Sequence, residues 1–263
     1  MSGILVGSLA AAMMVATMAS SAFAQTKTEA VEYKDGNTVL EGYLAYDANA
    51  KGPRPLVLVV HEWWGLNDYA KSRARQLAEL GYVAFAVDMY GKGVLGKDAK
   101  EAAALTGPFR SDRQLTRRRI TAGLDAVKTN PRVDPRRIAA VGYCFGGTTV
   151  LELARSGADL AGVVSFHGGL AAGDPNDAKN IKCKVLVETG ADDRSVPMTA
   201  VAAFVDEMRL GKVDCHVTIH GGAVHTFTNP ASGDNPATNS AYNEKADKRS
   251  WQEMKSFFEE IFK

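Results

Sequence analysis

The feature that most restricts how this chain can fold is a repeated alternation of short, continuously apolar runs with longer amphipathic stretches. The runs are Leu56 to Val60, Val83 to Val87, Ile138 to Val141, Leu160 to Phe166, Val185 to Val187 and Val217 to Ile219. Each is short and almost wholly apolar, Ser165 and Thr218 being the exceptions, which suits a strand covered on both faces. The stretches between them carry helical signals. Ser111-Asp112-Arg113-Gln114 reads as a capping box followed by Thr116, Ile120, Leu124 and Val127 at helical spacing. Pro197 marks a first helical turn, Val201, Phe204, Val205 and Met208 form a stripe, and Gly211 closes it. A last helix carries Trp251, Met254, Phe257, Phe258 and Ile261. Val39 to Tyr46 alternates as a half-buried strand, expected to pair antiparallel with Ala30 to Lys34. The pattern predicts an α/β fold: a mainly parallel sheet of about eight strands with helices on both faces.

The first 24 residues follow different rules. From Ile4 to Ala24 no side chain is charged, and Ala22-Phe23-Ala24 precedes the polar run Gln25-Thr26-Lys27. This reads as an export signal cleaved after Ala24, placing the mature protein in a bacterial periplasm or outside the cell, although Met1-Ser2-Gly3 lacks the usual basic residue. A retained membrane anchor is the alternative, since 21 apolar and small residues can span a bilayer. Residues 25–263 show no linker or repeat and are expected to form a single domain. No later apolar stretch is long enough to span, so no membrane association is expected after cleavage. Lys and Arg total 31 against 30 Asp and Glu, a balance that offers nucleic acid no broad basic field. Three cysteines among 263 residues make no disulfide framework.

Chemistry in such sheets collects at the carboxyl ends of strands. The run ending at Val141 leads into Gly142-Tyr143-Cys144-Phe145-Gly146-Gly147 and then a helix. This is G-x-C-x-G, a nucleophile elbow with sulfur at its centre, where glycines are needed because the turn leaves no room for side chains. A helix N-terminus at that point favours a thiolate. Acyl transfer also needs a base and a carboxylate to orient it, in the chain order nucleophile, acid, histidine. The loop after Val185 to Glu188 offers Asp192 and Asp193, and the loop after the last strand offers His225. The remaining thiols, Cys183 and Cys215, each precede a catalytic candidate by ten residues, so both fall near the amino-terminal end of the sheet. They are expected to be buried as small hydrophobes, with a bridge as the alternative.

These residues resemble the dienelactone hydrolase family of α/β-hydrolases over about Leu56 to Phe258. The likeness rests on His61-Glu62-Trp63-Trp64-Gly65, Asp88-Met89-Tyr90, the Cys144 elbow, Gly190-x-x-Asp193-x-x-Val196-Pro197 and Gly222-Ala223-Val224-His225-Thr226-Phe227. The resemblance implies hydrolysis of a carboxylic ester or lactone through an acyl-enzyme on Cys144. It makes His225 the general base, Asp193 its orienting carboxylate, and Glu62 the glutamate that contacts the resting thiol. Oxyanion donors are expected to be the backbone N–H groups of Phe145 and Trp63. Trp63, Trp64, Tyr90, Tyr143 and Phe145 are candidates for the wall of an acyl pocket. Family members that hydrolyse a carboxylate-bearing lactone hold it with arginines, one of them four residues beyond the histidine. Here that position is Asn229. Lys92, Lys97, Lys100 and Arg110 offer no assignable match for the other, and Arg117-Arg118-Arg119 reads as a solvated helix face.

His61, Glu62 and His167 lack the H-x-x-x-H or H-E-x-x-H spacing of a metal hydrolase, so no metal and no cofactor is expected. The partner is a small-molecule ester or lactone, and the chain is expected to act as a monomer. A catalytically silent binding protein on the same fold is the rival reading, because fold alone does not fix function.

Overall fold

The computed structural model describes residues 25–263, so the expected export signal lies outside the described residues. Eight strands form one sheet: β1 (Thr26–Asp35), β2 (Thr38–Asp47), β3 (Arg54–Val60), β4 (Val83–Val87), β5 (Val133–Tyr143), β6 (Gly162–Phe166), β7 (Lys184–Gly190) and β8 (Cys215–His220). Their order is β1-β2-β4-β3-β5-β6-β7-β8. The β1–β2 hairpin is antiparallel and β2 joins β4 antiparallel, while every pairing from β4 to β8 is parallel. The apolar runs did become strands.

Six helices cover the sheet: α1 (Asp68–Glu79), α2 (Ala99–Ser111), α3 (Arg113–Val127), α4 (Phe145–Arg155), α5 (Met198–Gly211) and α6 (Glu244–Ile261). Alternate side chains of one strand serve opposite faces. Leu56, Leu58 and Val60 of β3 join Ile120, Val150, Leu151, Val201 and Phe204 under α3, α4 and α5. Val57 and Val59 join Ala74, Leu77, Met254 and Phe258 under α1 and α6. This two-sided burial is why the runs show no polar alternation. The exception is β8, whose Ile219 is 43% exposed. It was expected to be covered on both faces, but as the last strand of the order it has a neighbour on one side only.

Three local readings change. The N-cap of α3 is Asp112, whose side chain accepts from the N–H of Leu115, while Ser111 closes α2 by donating to the carbonyls of Gly107 and Pro108. Asp and Ser cap about equally well, but the Ser111 hydroxyl is engaged by the last carbonyls of α2, which leaves the cap of α3 to Asp112. Val205, placed in the apolar stripe of α5, is exposed. The arginine run is not a solvated face: only Arg118 projects outward. Arg119 is buried, donating to Asp35 at 2.8 Å and to the Met89 carbonyl at 2.7 Å, which ties α3 to the hairpin and to the loop after β4.

Arg117 belongs to a buried ionic network. It meets Glu152 at 2.8 Å and Asp177 at 2.5 Å, and Arg155, fully buried, meets Glu152 at 3.0 Å and Glu207 at 2.7 Å. Arg155 also donates to the carbonyl of Leu170 at 2.8 Å. One guanidinium thus fixes α4, α5 and the loop after β6 together. Cys183 and Cys215 are unbridged, as the packing reading expected, and the pairing of Val185 with Cys215 puts both at the amino-terminal end of β7 and β8. Removing a partner from a buried ion pair strands the remaining charge. Arg155→Met should therefore lower stability by about 3–5 kcal/mol, read as a fall in the urea midpoint at unchanged slope.

Candidate active site

The chain from β5 into α4 turns at Cys144 with φ 54° and ψ −112°, a conformation that L-residues other than glycine seldom occupy and that costs on the order of 1–3 kcal/mol. Both flanking glycines are demanded by contact. A Cβ at Gly142 would run into the carbonyl of Gly146, and one at Gly146 into the carbonyl of Val60 on β3. The strained peptide is pinned because the N–H of Cys144 is shared between the Phe166 carbonyl at 3.0 Å and His167 Nδ1 at 3.1 Å. Cys144 therefore stands at the start of α4, over the carboxyl ends of β5 and β6.

Strand register brings the partners to it. Gly190 of β7 pairs with His220 of β8, so the loops that follow these strands, carrying Asp193 and His225, lie side by side. His225 Nε2 is 3.0 Å from Cys144 Sγ, and His225 Nδ1 donates to Asp193 Oδ2 at 2.7 Å. Asp193 is buried, and its other oxygen accepts the N–H of Ser195 at 2.7 Å, whereas Asp192 points to solvent. Burial by itself would lower the His225 pKa. The attraction of Cys144 and the hydrogen bond to Asp193 oppose it and push it up to about 10. That is the electrostatic signature of an imidazolium held between a sulfur and a carboxylate.

Glu62 and Trp63 follow β3, where β4 leaves on one side and β5 on the other, the crevice in which open α/β sheets collect ligands. Glu62 does not meet the thiol as expected. Its Oε2 accepts from Asn229 Nδ2 at 2.6 Å, and its Oε1 is buried with no partner among the described residues. The reason is the residue at 229: a short amide reaches the carboxylate, leaving the sulfur to His225. Burial raises the Glu62 pKa to about 7, against the pull of Asn229 and His225. The peptide between Glu62 and Trp63 is oriented from behind by buried His61, whose Nδ1 donates to the Glu62 carbonyl while Nε2 accepts from the N–H of Met89 at 3.3 Å. The N–H of Phe145, first in α4, has no intrahelical acceptor.

The candidate wall residues divide among four places. Phe145 lines a cleft of about 550 Å³ with Cys144, His225, Phe109, Arg110, Arg113, Leu170 and Val196. Trp63 and Trp64, in edge contact at 4.9 Å, line an adjoining cleft of about 600 Å³ with Tyr69, Thr226 and Asn229. Tyr90 stands behind the wall, 5.7 Å from the ring of Phe145, and its hydroxyl donates to the Trp63 carbonyl at 3.0 Å. Tyr143 is a correction. It is fully buried on the α1 and α6 face, stacked on Phe166 at 4.9 Å, because neighbours in a strand point to opposite faces and Tyr143 precedes the turn. Lys92 is also away from the cleft, paired with Glu32 and Glu41.

His167 had been weighed only as a metal ligand. It ends β6 at φ 41°, fully buried, with Nδ1 accepting from Cys144 and Nε2 donating to Thr228 Oγ1 at 2.7 Å. Burial, the charge on His225 and that on Arg73 hold its pKa well below the usual value, so it stays neutral and keeps its acceptor. Its position directly after an apolar strand was the only signal in the sequence.

A strand-end Cys, His and Asp on this sheet define an α/β-hydrolase fold. The family model "Dienelactone hydrolase family" matches residues 40–262, and the chain belongs to that family, whose members hydrolyse ester or lactone bonds. A dienelactone hydrolase-like promiscuous phosphotriesterase from metagenomic libraries is 44% identical, covers 90% of this chain and 98% of its own, and superposes with a TM-score of 0.86. An Aquifex aeolicus protein provisionally named a carboxymethylenebutenolidase is 28% identical over 89% of this chain and 98% of its own. The dienelactone hydrolase of Anabaena variabilis, at 22% identity, covers 79% of this chain and 91% of its own with a TM-score of 0.61, a likeness of fold. Among the described residues no helix is long and apolar enough to cross a membrane.

Two outcomes follow from the site. Glu62 binds its proton with a pKa of about 7 in the fold against an ordinary 4.5, so the stability it confers is complete below the lower value and is lost as pH rises through the higher one. Glu62→Gln should match the parent at about pH 4 and exceed it by on the order of 3 kcal/mol above about pH 8, measured by urea unfolding. His167→Leu should cut kcat on an aryl ester by about tenfold or more with little change in KM, because it frees the Cys144 peptide. His167→Asn, which tolerates positive φ and offers an acceptor oxygen, should recover most of that loss.

Proposed function

We propose that the protein hydrolyses carboxylic esters or lactones by covalent catalysis at Cys144. The observation that carries this reading is the linear relay of Cys144 Sγ, His225 and Asp193 at 3.0 and 2.7 Å on a strained strand-to-helix turn. His225 holds the proton released from Cys144, and the thiolate attacks the substrate carbonyl to give a tetrahedral intermediate. The N–H groups of Phe145 and Trp63 receive its oxyanion; losing such a donor typically costs about 100- to 1,000-fold in turnover. Collapse expels the alcohol, which takes the proton from His225. Water, deprotonated by the same imidazole, then attacks the thioester and regenerates Cys144. Asp193 fixes the ring and its tautomer throughout.

Glu62, with a pKa near 7 beside this charge pair, acts as a proton-dependent neighbour of His225. In this reading the thiol is already engaged by the imidazole before substrate arrives, since Asn229 occupies the carboxylate. Asn229 also removes a cationic anchor for a substrate carboxylate, which supports ester and lactone chemistry more broadly than the carboxylated dienelactone. The export reading of residues 1–24 stands as part of the proposal, and detection of the mature chain beginning at Gln25 in a periplasmic fraction tests it.

Cys144→Ala should abolish hydrolysis of aryl esters without shifting the thermal midpoint, and Cys144→Ser should leave at most about one part in a hundred, since an alcohol must be deprotonated during attack. Stoichiometric alkylation of Cys144 should remove activity in step. Turnover persisting in the alkylated protein would remove the covalent mechanism, and a thiol that reacts no faster than free cysteine, with no ester turnover, would favour the silent binding protein.

A further inference from the structure

The cleft at Cys144 does not end at its own wall. Leu170, Ala171 and Ala200 line it and also line a second cavity of about 510 Å³, so the two meet at these residues. Beyond these shared residues the trough runs between the loop after β6 and the outer face of α5, over Pro175, Ala203, Phe204 and Leu210. We propose that this groove is a subsite for an extended, uncharged alkyl arm of the ester; the inference deepens the hydrolase reading and rests on it.

Five observations support that occupant. Residues 200, 203, 207 and 210 recur at the spacing of one helical face, and the two nearest the cleft are alanines, which leaves a trough where larger side chains would fill it. Ten residues of helix advance about 15 Å, the scale of an extended chain and far more than an acetyl group needs. The groove is preformed: Arg155 holds the Leu170 carbonyl on one wall and Glu207 on the other. Its two carboxylates sit toward the far end and both are paired, Glu207 with Arg155 at 2.7 Å and Asp206 with Arg209 at 2.7 Å, so the trough suits an uncharged chain. Leu210, 49% exposed at that end, is an apolar surface residue whose burial such a chain would complete.

The test is a series of p-nitrophenyl esters from acetate to decanoate, with a parallel series of alkyl acetates to tell an acyl arm from an alcohol arm. In one of the two series kcat/KM should rise about two- to fourfold per methylene entering the groove. Ala203→Trp, on the exposed face and away from Cys144, should leave acetate turnover unchanged and lower octanoate and decanoate turnover at least tenfold. Flat or falling profiles in both series, or an Ala203→Trp profile parallel to the parent, would overturn the subsite while the hydrolase reading stood. If no ester is turned over, that reading fails instead, and calorimetry with N-methyldecanamide still decides the groove. Binding that is lost in Ala203→Trp supports it, and no binding in the parent removes it.

Discussion

Everything at the site depends on one steric constraint, the close passage of the Cys144 turn between β3 and the first turn of α4. Gly142 and Gly146 leave no space for a Cβ, so β5 must stop and α4 must start within a single residue. That residue takes φ 54°, and its side chain is thrown clear of the sheet onto the strand ends. Local strain of this kind persists only when the surroundings over-determine it. Here β6 does so, through the Phe166 carbonyl and His167 Nδ1 acting on one N–H.

A second layer holds Asp193 and His225 within hydrogen-bond reach of one another and of Cys144. Parallel register puts Asp193 and His225 on adjacent loops, and buried histidines in fixed tautomers orient the peptides around the sulfur: His167 behind Cys144, His61 behind the Glu62 carbonyl. Both are fully buried and held below their ordinary pKa chiefly by desolvation. Neutral imidazoles can each present one donor and one acceptor at once, which a charged ring cannot. The only ring raised instead is His225, which faces Cys144 and Asp193. Environment thus divides three histidines of the same intrinsic chemistry between scaffold and reaction.

Much of the fold and part of the site could be read from the chain. Runs that are almost wholly apolar identified β3 to β7 because both faces of those strands are covered, and the same argument misjudged β8, where Thr218 within a three-residue run was the one sign of an incompletely covered strand. The elbow was legible because its glycines answer a local steric demand. Asp193 over Asp192 came from family spacing, and the physical reason appeared only with burial. Tyr143 and Trp64 sit beside site motifs in sequence yet face away or into the adjoining cleft, since side-chain direction alternates while sequence proximity does not. Arg117 and Arg119 looked like surface because their carboxylate partners, Glu152, Asp177 and Asp35, are distant in the chain.

The sequence by itself therefore determined the parallel α/β architecture, the position of the Cys144 turn and the chain order of Asp193 and His225 after it, because these follow from local sterics and from periodicity along neighbouring residues. Only tertiary structure decided that Glu62 answers to Asn229, that His167 and His61 orient the peptides around Cys144, and that a second cavity beside α5 meets the cleft. Those outcomes arise from contacts between residues such as Glu62 and Asn229, 167 positions apart, whose meeting is set by strand order and burial rather than by anything either residue carries alone.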